Sequence, residues 1–197
     1  GGPFDNDSQV PGSIYGKVLR MTMDGKPAPG NPFLAQPGAR GEVFSMGHRD
    51  QLGLTIHPAT GAVLAVEHGP NGGDEMNVIE AGKNYGWPLA SYGPNYNKVP
   101  VPAFEHQPNL ARAVFQWTPV LAPGMLTFYR GSMFPQWNGS ALAGGMGSKS
   151  LTRIVFDGKG GAVAAERWDI GFGVRDGEVA PDGALWISEG GLNNNLP

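Results

Sequence analysis

Cysteine is absent from the 197-residue chain, which excludes disulfides, thiolate metal sites and a cysteine nucleophile. No apolar run approaches the roughly 20 residues that a membrane-spanning helix needs, so no membrane insertion is expected. Runs of positive charge are missing too. Lys and Arg number 14 against 17 Asp and Glu, for a net charge of -3, and without a basic stripe the chain lacks the electrostatic footprint of a nucleic-acid binder. The first residues, "GGPFDNDSQVPG", have neither the basic start nor the apolar centre of a signal peptide. Helical periodicity is equally scarce, because Gly or Pro interrupts every window in which apolar residues could recur at i, i+3, i+4 and i+7.

What the chain does have is Gly and Pro, 32 and 18 residues, set between apolar runs, with 40% hydrophobic residues to build a core. Short strands and many turns follow from that punctuation. "GKVLRMTMDG" (16–25) alternates and closes on an Asp-Gly turn. "GLTIHPATGAVLAVEHG" (53–69) gives two strands joined by Pro-Ala-Thr-Gly, and "VAPDGALWISEGG" (179–191) repeats the design around Pro-Asp-Gly. Residues 125–145 and 150–170 read as further hairpins. The recurrence, at blade-sized spacing, predicts an all-β single domain over 1–197, either a β-propeller or a Greek-key sandwich.

Function-bearing candidates cluster in "EHGPNGGDEMNVIEAGKNYGWP" (67–88). Asp74 and Glu75 follow glycines that allow tight curvature, as a hard-cation loop requires; a solvated hairpin loop is the competing reading. His68, beside Gly69-Pro70, lines a pocket or serves only structure. In "GHRDQLG" (47–53), Arg49 offers a guanidinium for a developing anion, or a surface ion pair with Asp50. "GGMGSKS" (144–150) is not a phosphate loop, since Ser precedes Lys149 and a strand-like run follows.

These motifs, with "WTPVLAPGMLTFY" and "VRDGEVAPDGALWISE", stand in the same order as in the pyrroloquinoline-quinone-dependent aldose sugar dehydrogenases, relatives of soluble glucose dehydrogenase. The chain resembles that family from about Gly16 to Glu189. The resemblance implies a six-bladed β-propeller, of which this chain covers about three to four blades, in an oxidoreductase that oxidises the C1 hydroxyl of an aldose with quinone and calcium. It further implies cofactor contacts at Arg49, Asp50, His68 and Arg175, a substrate-side aromatic at Trp117, and calcium held by Gly69 and Pro70 carbonyls. A second calcium is implied at Glu75 and the Tyr85 carbonyl. The family's general base falls upstream of the aligned region, so no catalytic base is assigned in this chain.

The departures are Asp50 where the family has Asn, Gly173 where it has a carboxylate-binding Arg, a turn shortened at "APGM", and Lys149 about two positions from the family lysine. A periplasmic or secreted location, and a homo-oligomer or complementary blades to close the ring, complete the expectation. A non-catalytic β-propeller module that binds a ligand or a partner chain is the alternative.

Overall fold

The computed structural model describes residues 5–158 and 161–190. β1 (Lys17–Leu19) and β2 (Val43–Met46) pair as a two-stranded antiparallel sheet. β3 (Gln51–Ile56), β4 (Val63–Glu67), β5 (Asp74–Ile79) and β6 (Phe115–Trp117) form a four-stranded meander. β7 (Pro123–Phe128), β8 (Ala141–Gly145), β9 (Ser150–Phe156) and β10 (Ala162–Asp169) form a second, and β11 (Val174–Val179) pairs with β12 (Leu185–Glu189). The only helical pieces among the described residues are 3-10 turns at Asp5–Gln9, Phe104–His106 and Pro135–Trp137. The chain is all-β, as the broken periodicity requires.

The predicted hairpins form. Residues 57–62 turn β3 into β4, with the His57 N–H donating to Ala62 O and the Gly61 N–H to His57 O. Gly183 supplies the left-handed φ of 89° that the Pro-Asp-Gly turn between β11 and β12 demands. The "GKVLRMTMDG" strand is shorter than its alternation suggests: it ends at Leu19, and the Asp-Gly turn closes on a single bridge from Met21 to Pro27.

Sheets stack face to face because one side of each strand is apolar. Leu64, Val66 and Met76 of the first meander pack against Leu126, Phe128, Ala143 and Ile154 of the second. Met125, Leu142 and Leu151 then pack against Val174, Leu185 and Ile187 of the β11–β12 pair. Burying each such side chain contributes about 1.5–3 kcal/mol. Approach is close where β3 crosses β7: a Cβ on Gly53 would lie 2.9 Å from the Leu126 nitrogen. In chain order the last strand of each sheet leads directly to the first strand of the next, through residues 47–50, 118–122 and 170–173. This is how a propeller runs from blade to blade. Two complete four-stranded sheets and two two-stranded ones are present, and among the described residues they do not close into a ring.

Candidate functional site

The connection 47–50 is fixed from both sides. Trp87 N–H donates to Gly47 O at 2.8 Å and Tyr85 N–H to Met46 O at 2.8 Å, so the "NYGWP" segment is docked onto the end of β2. Gly47, at φ 75°, has no room for a side chain, since a Cβ would lie 2.0 Å from Asn84 Oδ1. The Arg49 side chain then extends over the ring of Trp87, 5.2 Å from its centroid, and its Nη1 donates to His68 O at 3.0 Å. Tyr96 lies on the same guanidinium at 5.7 Å. Arg49 Nε is buried and has no hydrogen-bond partner among the described residues.

Beside it lies a cavity of about 10 Å³, lined by Arg49, Glu67, His68, Gly69, Glu75 and Tyr85 among others. That is about one water or one ion in size. Glu67 and Glu75 are buried here, 3% and 7% exposed, and stand directly opposite each other across β4 and β5. The Asn77 amide nitrogen bridges them at 2.7 and 3.0 Å, while its oxygen is left without a partner. Burial, and then the Glu67 charge, hold the Glu75 carboxyl well above its ordinary value of 4.5. Two facing buried carboxylates beside an amide oxygen that has no partner among the described residues suit a hard cation. Among the described residues no three His, Asp or Glu side chains are grouped to hold a metal. A cation here would therefore draw on backbone carbonyl oxygens as well.

His68 also faces a second, open pocket of about 1090 Å³, whose wall includes Asp50, Lys149, Gly173, Arg175 and Glu189. Its Nε2 donates to Pro123 O at 2.9 Å and its Nδ1 lies 3.7 Å from Asp50 Oδ2. Among the described residues the Arg175 guanidinium has only the Met146 thioether as a hydrogen-bond partner, at 3.1 Å, a weak acceptor. A pocket of this size has room for a mid-sized ligand, and its wall sets two cations, Lys149 and Arg175, among two carboxylates, Asp50 and Glu189.

A family model described as Glucose / Sorbosone dehydrogenase matches residues 3–196. The chain belongs to that family. Among curated relatives, the aldose sugar dehydrogenase YliI of Escherichia coli is 36% identical over 180 residues, covering 88% of this chain and 48% of the relative. The crystal structure of the soluble aldose sugar dehydrogenase of Escherichia coli in the apo-form superposes with a TM-score of 0.88 at 33% identity, over 94% of this chain and 54% of that one. The PQQ-bound aldose sugar dehydrogenase of Streptomyces coelicolor gives a TM-score of 0.69 at 33% identity, over 93% and 48%. The chain thus spans about half the length of these relatives.

One expectation about this glucose/sorbosone dehydrogenase family chain needs correcting, and another gains a structural context. Trp117 is not among the residues that line the two pockets described above. It sits in β6, 6% exposed, edge-on to Phe115 in the core between the sheets. The acidic pair is not on a loop: Asp74 and Glu75 begin the buried strand β5. The Asp74 oxygens are occupied by the backbone N–H groups of Gly69, Leu121 and Ala122 at 2.9, 2.7 and 2.7 Å. Gly73, at φ 70°, packs on Tyr92, which explains why glycine-rich sequence here is tightly placed.

Gly173 is closed in as well. A Cβ there would lie 2.4 Å from Gly190 O and 2.8 Å from Met146 O, so the position holds no side chain. Lys149, in the β8–β9 turn at φ 53°, reaches the pocket wall instead.

Residues that the sequence alone does not single out are Glu67 and Asn77, whose signal is an acid and an amide inside otherwise apolar strands, "LAVE" and "DEMNV". Buried acids are rare without a specific partner.

Proposed function

We propose that this chain supplies the cofactor-binding part of a dehydrogenase that oxidises the C1 hydroxyl of an aldose with pyrroloquinoline quinone and calcium. The observation that carries this reading is the open pocket with Lys149 and Arg175 on its wall, divided by His68 from an ion-sized cavity over two buried carboxylates. Membership of the sugar dehydrogenase family supports it.

The bound groups supply a hydride acceptor and a Lewis acid. Arg175 and Lys149 would hold carboxylates of the cofactor, and Arg49 would place positive charge where the reduced cofactor needs it. Gly69 and Pro70 carbonyls would hold one calcium, and Glu75 with the Tyr85 carbonyl a second. No residue of this chain is assigned as the acceptor of the hydroxyl proton. A six-bladed β-propeller and a periplasmic or secreted location belong to the same proposal. Among the described residues no helix is long and apolar enough to cross a membrane.

Titration of the calcium-loaded chain with pyrroloquinoline quinone, followed by quinone absorbance, tests the reading. Saturable binding that weakens about tenfold or more in Arg175→Ala supports it; absence of binding by the wild type removes it. A ligand-binding module without catalysis is the second reading. Asp50 and the side-chain-free Gly173 favour it, because both weaken the pocket's hold on an anion.

A further inference from the structure

We propose that Glu67 is the positioning residue for Arg49, holding the arginine's backbone so that its guanidinium meets the anionic cofactor. The inference rests on the role given to Arg49 above.

Glu67 ends β4, and its two carboxylate oxygens are fully engaged from inside the protein. Oε2 accepts the Arg49 backbone N–H at 2.8 Å. Oε1 accepts from the Asn77 amide at 2.7 Å and faces His48 Nδ1 at 3.1 Å. Facing a carboxylate, Nδ1 carries the proton in the neutral ring, which leaves Nε2 to accept from the Ser45 hydroxyl at 2.8 Å. The ring is 1% exposed and stacked on Tyr85 at 4.5 Å between centroids. Ser45, His48, Glu67 and Asn77 thus form a closed chain of donors and acceptors whose outlet is the Arg49 backbone.

A purely structural role would be served better by apolar side chains, because a buried carboxylate opposite a second one is costly. What the carboxylate provides is two acceptors for three converging donors. Glutamine cannot do this: its amide oxygen serves one side, and its NH2 group meets a donor on the other. The Arg49 side chain leans on that anchor, since among the described residues Nη1 donates to His68 O, Nη2 has only a long 3.5 Å contact to the Tyr96 hydroxyl, and Nε has no partner. A shift of the backbone at 49 would carry the guanidinium off the Trp87 and Tyr96 rings over which it lies.

The test is a double-mutant cycle on the 197-residue chain, read as quinone affinity in saturating calcium, with melting temperature followed in parallel. Glu67→Gln is expected to weaken binding about tenfold in the wild-type background, and to change it less than twofold in Arg49→Ala. His48→Phe keeps the stack on Tyr85 and removes one donor. It carries the same cycle if Glu67→Gln does not fold, with an expected loss of about threefold that also vanishes in Arg49→Ala. Equal losses in both backgrounds, or no loss in the first, overturn the inference while leaving quinone binding by the wild type intact. No binding by the wild type instead overturns the function on which the inference rests.

Discussion

Asp74 Oδ2 accepts the backbone N–H of Leu121 at 2.7 Å, 47 residues along the chain, and the same oxygen takes Ala122 N–H at 2.7 Å. With Oδ1 on Gly69 N–H, one buried carboxylate clips the turn after β4 to the connection between the two meanders. Asp74→Ala leaves three backbone donors without partners and is expected to cost about 3–5 kcal/mol. Urea denaturation measures this; a midpoint within error of the wild type would remove the clip from the account.

Glu75 predicts a pH dependence of known sign. Its folded pKa is raised above the ordinary 4.5 by burial and by Glu67, so the folded state binds the proton more tightly than the unfolded chain. In calcium-free protein this contribution is complete below about pH 4.5 and is lost as pH rises through the raised folded value. Stability of the chelated protein should fall over that window, and Glu75→Gln should flatten the fall. A slope that is the same in wild type and Glu75→Gln would exclude Glu75 as its origin.

Asp50 is half-exposed at the mouth of the open pocket, with His68 Nδ1 at 3.7 Å. Solvent screens its repulsion of an anionic ligand, so Asp50→Asn should tighten quinone binding only about three- to tenfold. The gain should shrink further as salt is raised. Weaker binding after the substitution would mean that Asp50 contacts the ligand as an acceptor.

Gly173 has no room for an arginine side chain. Backbone oxygens at 2.4 and 2.8 Å from its ideal Cβ position leave no space. Gly173→Arg is expected to destabilise by about 2–4 kcal/mol without improving quinone affinity. A stable variant with tighter binding would show that β11 and the β12 end can separate.

Hairpins were legible in the sequence because Pro-Asp-Gly and Pro-Ala-Thr-Gly punctuate alternating apolar residues, and turn chemistry is local. β5 was not, because "GGDE" reads as a polar loop until Asp74 is seen to satisfy donors 47 residues away. The surroundings of Trp117 were not legible either: an aromatic beside a family motif takes its neighbours from space, and here those are Phe115 and the core. Glu67 and Glu75 could have been found as like charges directly opposed across a hairpin, an arrangement that needs compensation. That reading requires the β4–β5 register, which the long turn between them conceals.

The most direct test is quinone titration of one protein sample in two states, stripped with chelator and reloaded with millimolar calcium. The account predicts saturable binding with calcium, at a Kd on the order of micromolar, and affinity at least about tenfold weaker without it. Identical affinity in the two states, or no binding in the presence of calcium, would contradict a cofactor site built from His68, Arg49, Arg175 and the buried carboxylates.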